Sequence, residues 1–220
     1  MEVKSLKIAF ITGTSSGIGK GIGEYLLKKG WNVYGCALHN PNPTGSIITF
    51  SMDVSRPDDW LKILTRLPML DLLINNAGIL RFDEYNEARS IVETNLLGVF
   101  YGCTFALNYV KEKGSVINIA STSGVNPEPE LPLYSATKAG VIHMTKSFAK
   151  QTRRIRFNCI SPGFVRTNLV PGEVSKELLK HVLEQRVAKP IEIAKVVEFI
   201  IKTPYLHGAN IIVDGGSGLW

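Results

Sequence analysis

Short apolar runs recur along this chain, separated by stretches with helical periodicity. Ile8–Ile11, Asn32–Ala37, Ile47–Met52, Asp71–Ile74, Ser115–Ala120, Arg156–Ile160 and Asn210–Asp214 each read as a strand. They are too short for helices and rich in β-branched residues. A helical segment follows the first run as far as Lys29. Ser55 reads as the N-cap of another helix through Leu67, with Pro57 in its first turn. Further helices are expected from about Ala88 to Lys111, from Leu133 to Gln151 and from Pro190 to Lys202, with Gly114 restarting the chain into a strand. The polar segment Thr167–Lys189 leaves room for a short helix or two. One connection breaks the alternation: His39–Gly45 is too short and too rich in Pro and Asn for a helix. Strands alternating with helices predict an α/β fold, a doubly wound parallel sheet covered on both faces, as a single domain over residues 1–220.

Composition narrows the class. Hydrophobic residues are 45% and charged residues 20% of 220, ordinary for a soluble globular protein and ample for a core. The net charge of +6 is dispersed. Its densest cluster, Arg153, Arg154 and Arg156, reads as a solvated helix end, and no basic stripe interleaved with aromatics points to nucleic acid. Cys36, Cys103 and Cys159 lie in apolar elements without metal-ligand spacing, as buried reduced thiols would. The first seven residues contain no apolar signal core, and no stretch reads as long enough to cross a bilayer. The expected location is cytoplasmic, with no membrane partner.

Two stretches carry chemistry. After the first strand comes Thr12-Gly-Thr-Ser-Ser-Gly-Ile-Gly19, opening a helix. Strand, glycine turn and helix suit a pyrophosphate: glycines let the backbone approach, and the helix N-terminus offers free N–H groups and positive dipole. A tight turn without ligand would use the same residues. The second stretch is Tyr134-Ser-Ala-Thr-Lys138. Residues four apart on a helix share a face. A nearby ammonium stabilises a phenolate, so Lys138 is expected to lower the Tyr134 pKa and allow proton exchange near neutrality. Ser121, at the end of the Ser115–Ala120 run, could hold a substrate oxygen beside the phenol. A surface Tyr–Lys pair is the bland alternative.

Taken together, the motifs resemble the short-chain dehydrogenase/reductase family along nearly the whole chain. In order they are TGxxxGIG at 12–19, Asp53 after the third strand, NNAG at 75–78, Asn95 on a helix, Ser121, YxxxK at 134–138, the Pro-Gly turn at 162–163 and the strand before Asp214. The resemblance implies a Rossmann-type sheet and NAD(P)-dependent hydride transfer between a carbonyl and an alcohol. It implies that Tyr134 exchanges the hydroxyl proton and that Lys138 tunes it and binds the nicotinamide ribose. Ser121 would orient the carbonyl, and Asn95 would hold a water linking Lys138 to solvent. Gly13, Ser15, Gly17, Ile18 and Gly19 would carry the phosphates and adjacent ribose. Asp53 and Val54 would flank the adenine, Asn75 would sit near the adenosine ribose, and Ala77 and Gly78 would line the groove. Pro162, Gly163, Val165 and Thr167 would border the nicotinamide. Asp53 could instead cap its turn, and Asn95 could merely stitch its helix to a neighbouring strand. Thr12 and Asp214 read as structural.

The departures from the pattern matter too. A carboxylate at the end of the second strand would select NAD; here that place holds Ala37-Leu38-His39. The glycine turn lacks the Arg that would mark NADP. Room left for a 2′-phosphate favours NADP over NAD. The truncated connection and Asn76–Arg81 are locally similar to family members that oxidise cyclic dihydrodiols. The expected partner is a modest apolar carbonyl or alcohol, received between Thr122–Leu133, Phe164 and Thr167–Lys189. Apolar positions on the helices near Ala88 and Leu133, including Leu96, Leu97, Val99, Phe100, Phe105 and Leu107, predict a homodimer or homotetramer. A silent NAD(P)-binding sensor or scaffold is the alternative to turnover.

Overall fold

A computed structural model describes residues 6–39, 46–167, 169 and 175–219. Seven parallel strands form one sheet in the order β3-β2-β1-β4-β5-β6-β7. They are β1 (Ile8–Thr12), β2 (Asn32–Ala37), β3 (Ile48–Ser51), β4 (Leu70–Asn75), β5 (Val110–Ile119), β6 (Arg156–Pro162) and β7 (Asn210–Val213). The helices are α1 (Gly17–Lys28), α2 (Pro57–Leu64), α3 (Glu84–Val92), α4 (Gly98–Tyr109), α5 (Pro132–Gln151), α6 (Lys176–Lys180) and α7 (Pro190–Lys202). Two cores result, one per face. Ile22 and Leu26 of α1 and Ile193, Val197 and Ile200 of α7 pack on Ile11, Ile74 and Ile160. Trp60 of α2, Val99 and Cys103 of α4 and Val141 and Phe148 of α5 pack on Phe10, Leu73 and Phe157. The inner strands are apolar on both sides because helices cover both. The strand order reverses between β1 and β4, and such a switch point opens a crevice at the carboxyl ends of the strands.

Several expected boundaries shift. Ser55 does not cap α2: Arg56 is the N-cap. Ser55 instead donates its N–H and hydroxyl to Asp53 Oδ1, at 2.9 and 2.7 Å. The single helix expected over 88–111 is three segments, α3, a π turn at Glu93–Leu97 and α4. It ends at Tyr109, and β5 begins at Val110, before Gly114, because Val110 pairs with Leu70. Within the continuous 26-residue run Glu84–Tyr109, one 18-residue window has a mean hydropathy of 1.3, so by length and composition alone this helix could cross a membrane, contrary to the expectation from the sequence. In the fold Ile91, Val99, Cys103 and Ala106 of this run are buried in the core. The arginine cluster is not a solvated end either. Arg154 donates to Leu107 O and, at 2.8 Å, to Val110 O, closing the end of α4. Arg156 donates to Ile200 O, Thr203 O and Leu206 O around the end of α7. All three cysteines are free and buried.

Candidate active site and coenzyme groove

The glycine turn lies at the switch point. Gly13 (φ +74°) and Gly17 (φ +57°) take left-handed backbone that side chains disfavour. A Cβ on Gly19 would lie 2.2 Å from Gly13 O and 2.4 Å from Asn76 Nδ2. Asn76 donates that Nδ2 to Thr12 O and Gly13 O at 2.8 and 3.1 Å. The Thr12 hydroxyl accepts from the N–H groups of Asn76 and Ala77, both at 2.9 Å, the structural role expected of Thr12. The NNAG segment and the glycine turn are therefore one knotted unit, with Ala77 against Gly13. Ser15 is exposed, Ile18 packs inward, and Ser16 caps α1 without a side-chain hydrogen bond. A backbone cradle beside an uncapped helix N-terminus fits the pyrophosphate of a dinucleotide. Thr167 reaches this cradle: its Cγ2 would lie 3.0 Å from a Cβ on Gly17.

Other expected coenzyme residues divide. Asp53 accepts from the Ser55 turn and donates its own N–H to Asp59 Oδ2, at 3.0 Å, so it does serve as a cap. Val54 turns into the core against Gly98, and its carbonyl accepts from Trp60 Nε1 at 2.9 Å. Asn75 also turns inward, donating to Asn118 Oδ1 at 2.8 Å and to the Cys103 sulfur. Its Oδ1 has no partner among the described residues. Pro162 ends β6 and Gly163 follows it; Pro162 O accepts from the Thr122 hydroxyl and Gly163 abuts Asp214. Val165 bridges to Ala188. Beyond these, Leu169 is 40% exposed, whereas Val170 and the 40–45 connection lie outside the described residues.

The catalytic candidates converge. Tyr134 and Lys138 are 6% and 4% exposed, so they are no surface pair. The Lys138 ammonium lies 5.6 Å from the centre of the Tyr134 ring and donates to Ile119 O at 3.2 Å. Ser121, two residues past the end of β5, is the N-cap of a 3-10 turn, Thr122–Gly124, its Oγ accepting from Ser123 N. Gly124 lets this turn press on α5: a Cβ there would lie 2.6 Å from the main-chain carbon of Lys138. Asn95 does stitch, but to a loop. Its Nδ2 donates to Ile79 O at 2.7 Å and its Oδ1 accepts from Ile79 N at 2.8 Å. A Cβ on Gly78 would meet Asn95 Oδ1 at 3.1 Å and Lys138 Nζ at 3.4 Å, which brings Gly78, Asn95 and Lys138 together.

The electrostatics amend the expectation for the phenol. Burial raises the Tyr134 pKa, and a hydrogen bond with Ser121 pulls against it; Lys138 contributes no lowering. Burial pulls Lys138 itself down to about 8. The buried thiols are pushed up to about 12, which makes them inert.

Asn76, Gly124 and Glu84 are the site residues that the motif reading passes over. Asn76 stands inside a motif that was used for its neighbours. Gly124, three residues after Ser121, could have been read as the tight turn behind a Ser cap. Glu84 contacts α5 across some fifty residues and leaves no local signal.

A family model described as short chain dehydrogenase matches residues 7–178. Carbonyl reductase family member 4 of Xenopus tropicalis is 32% identical, covering 97% of this chain and 98% of its own. The 3-oxoacyl-[acyl-carrier-protein] reductase of Chlamydia muridarum is 33% identical over 96% of each chain. A solved 4-hydroxyisoleucine dehydrogenase complexed with NADH superposes with a TM-score of 0.86 at 28% identity, covering 97% of both chains.

Proposed function

Because this chain belongs to the short-chain dehydrogenase/reductase family, we propose that it reduces a small apolar carbonyl compound to the alcohol, with Tyr134 as the proton donor. The bound nicotinamide coenzyme supplies the hydride. The observation that carries the reading is the buried Tyr134–Lys138 pair beside Ser121. A phenol whose pKa is raised holds its proton at neutral pH and delivers it to the oxygen as the carbon is reduced. Lys138, mostly charged at pH 7 with a pKa of about 8, lies 5.6 Å from the ring centre and is the cation nearest the phenolate as the proton leaves. Ser121 Oγ orients the carbonyl oxygen. The intact set Ser121, Tyr134, Lys138 and Asn95 supports turnover over sensing, because coenzyme binding alone would not need a buried phenol beside Ser121.

Gly13, Ser15, Gly17 and Gly19 would hold the coenzyme's phosphates, with Ala77, Gly78 and Thr167 along the groove. No carboxylate stands at Ala37, Leu38 or His39 to repel a 2′-phosphate. NADPH should therefore bind at least as well as NADH, and tenfold tighter NADH, about 1.4 kcal/mol, would sink that preference. Ala37 is only 5% exposed, whereas Leu38 is 54% exposed. An Asp for selecting NADH is thus better tried at Leu38 than at Ala37.

The test is NADPH oxidation against a panel of carbonyl compounds, with Tyr134→Phe beside the wild type. The variant keeps the ring and loses the hydroxyl. Turnover should fall about a hundredfold or more, with coenzyme binding unchanged. A variant that keeps a tenth of the rate removes Tyr134 from the acid/base role.

A further inference from the structure

The helix that carries Tyr134 has no cap of its own. Its N-cap is Leu131, which has no polar side chain, and its first residue is Pro132, which has no N–H. Ser135 N donates to Leu131 O. The amides of Leu133 and Tyr134 remain, and a helix N-terminus buried without partners for them is costly. Both go to one carboxylate from another element. Leu133 N donates to Glu84 Oε2 at 2.8 Å, and Tyr134 N donates to Glu84 Oε1 at 2.7 Å.

Glu84 is the first residue of α3 and is half-buried. Its own helix does not need that side chain as a cap, because Asp83 accepts from Asn86 N there. The loop leading to Glu84 is tied at its other end, where Asn95 holds both polar main-chain groups of Ile79. Asn95 lies beside Lys138. The segment 79–84 is thus a strap. One end is fixed next to the lysine and the other grips the main chain of the tyrosine.

We infer that Glu84 is a positioning residue for the proposed proton transfer, fixing the first turn of α5 and with it the placement of the Tyr134 phenol. A bidentate carboxylate on two successive amides resists both sliding and rotation of that turn. It also places a negative charge at the positive end of the helix dipole, a favourable arrangement. Proton transfer is sensitive to placement: a 1 Å displacement can cost on the order of a hundredfold. The inference rests on Tyr134 being the proton donor, so its test has one arm that does not need turnover.

The experiment compares wild type, Glu84→Ala and Glu84→Gln. Hydrogen exchange of the Leu133 and Tyr134 amides is followed by NMR, without substrate. NADPH affinity, kcat and KM are measured with the best carbonyl of the panel. Glu84→Ala should speed exchange at those two amides while Val141 and Ile142 stay protected. It should lower kcat about tenfold or more, with NADPH affinity and KM within about twofold. Glu84→Gln offers one acceptor oxygen in place of two and should recover part of kcat; it also serves if the alanine variant does not fold. A merely structural residue would lower the folded fraction without this split of kcat from KM and without rescue. Unchanged exchange at Leu133 and Tyr134 overturns the clamp. Altered exchange with unchanged kcat overturns the positioning role. A wild type without turnover, but with exchange that responds to Glu84→Ala, overturns the proposed function and with it the catalytic meaning of the clamp.

Discussion

Lys138 sits in the folded chain with a pKa near 8, down from an ordinary 10.5, because burial penalises its charge. Between those values the unfolded chain binds a proton that the folded chain has released. Folding stability therefore rises with pH across that window, and the lysine weighs most on the fold below about pH 8. At about 1.4 kcal/mol per pH unit the burden at pH 7 is about 3 kcal/mol. Lys138→Met keeps the stem and removes the charge, though it leaves Ile119 O without its donor. Denaturant melts of the coenzyme-free proteins should show the stability of the variant relative to wild type falling by about 2 kcal/mol between pH 7 and pH 9.5. A difference that stays flat with pH would mean the ammonium is hydrated in solution. At this scale the sequence was legible in part. The four-residue spacing put Tyr134 and Lys138 on one helix face, and that face is indeed the inner one. Gly124 lets the turn after β5 press onto the main chain of α5 at Lys138 and Ala139. That contact has no signature in the spacing of Tyr and Lys, and neither has the burial that pushes the phenol up rather than down.

Helices here end and bend for reasons that lie far along the chain. A uniform helical pattern from Ala88 onward hides the π turn at Glu93–Leu97, which surrounds Asn95 and its double bond to Ile79. Apolar periodicity does not register one extra residue in a turn. The arginine cluster shows the same limit. Arg154 and Arg156 look like surface charge because the carbonyls they bind, at the ends of α4 and α7, lie 44 or more residues away. Arg154→Met should leave Leu107 O and Val110 O unpaired at the end of α4, a loss of about 1–3 kcal/mol. Arg153 bonds to none of these carbonyls, so Arg153→Met is the control and should stay within about 0.5 kcal/mol of wild type. Equal melts for the two variants would return the whole cluster to the solvated role. Local signals fared better where both ends were marked nearby. Pro190 opens α7 and Lys202 closes it, as read, and β2 runs Asn32–Ala37 as read.

For the molecule as a whole, alternation was enough to place seven strands in one parallel sheet, because each buried run needs a helix on either face. Assembly was argued from the apolar circumference of the helix around Leu97, and the structure answers much of that within one chain. Phe105 stacks on Trp60, with ring centres 6.3 Å apart, and Phe100 leans on Phe148 at 6.2 Å. Phe100 is still 43% exposed, and other apolar surface lies toward the β7 side of the sheet. Ile212 on β7 is 49% exposed and Phe199 on α7 is 54% exposed. β7 is also an edge strand, a surface that invites pairing unless it is covered. Light scattering at micromolar concentration should report a dimer or tetramer. Ile212→Glu, which puts a charge on that edge at little cost to a single chain, should reduce the mass while NADPH affinity stays the same. A reduced mass from Phe100→Glu alone would move the contact to α4. A wild type that runs as a monomer would mean that neither surface is an interface, leaving the exposed Ile212 and Phe199 as ordinary apolar surface.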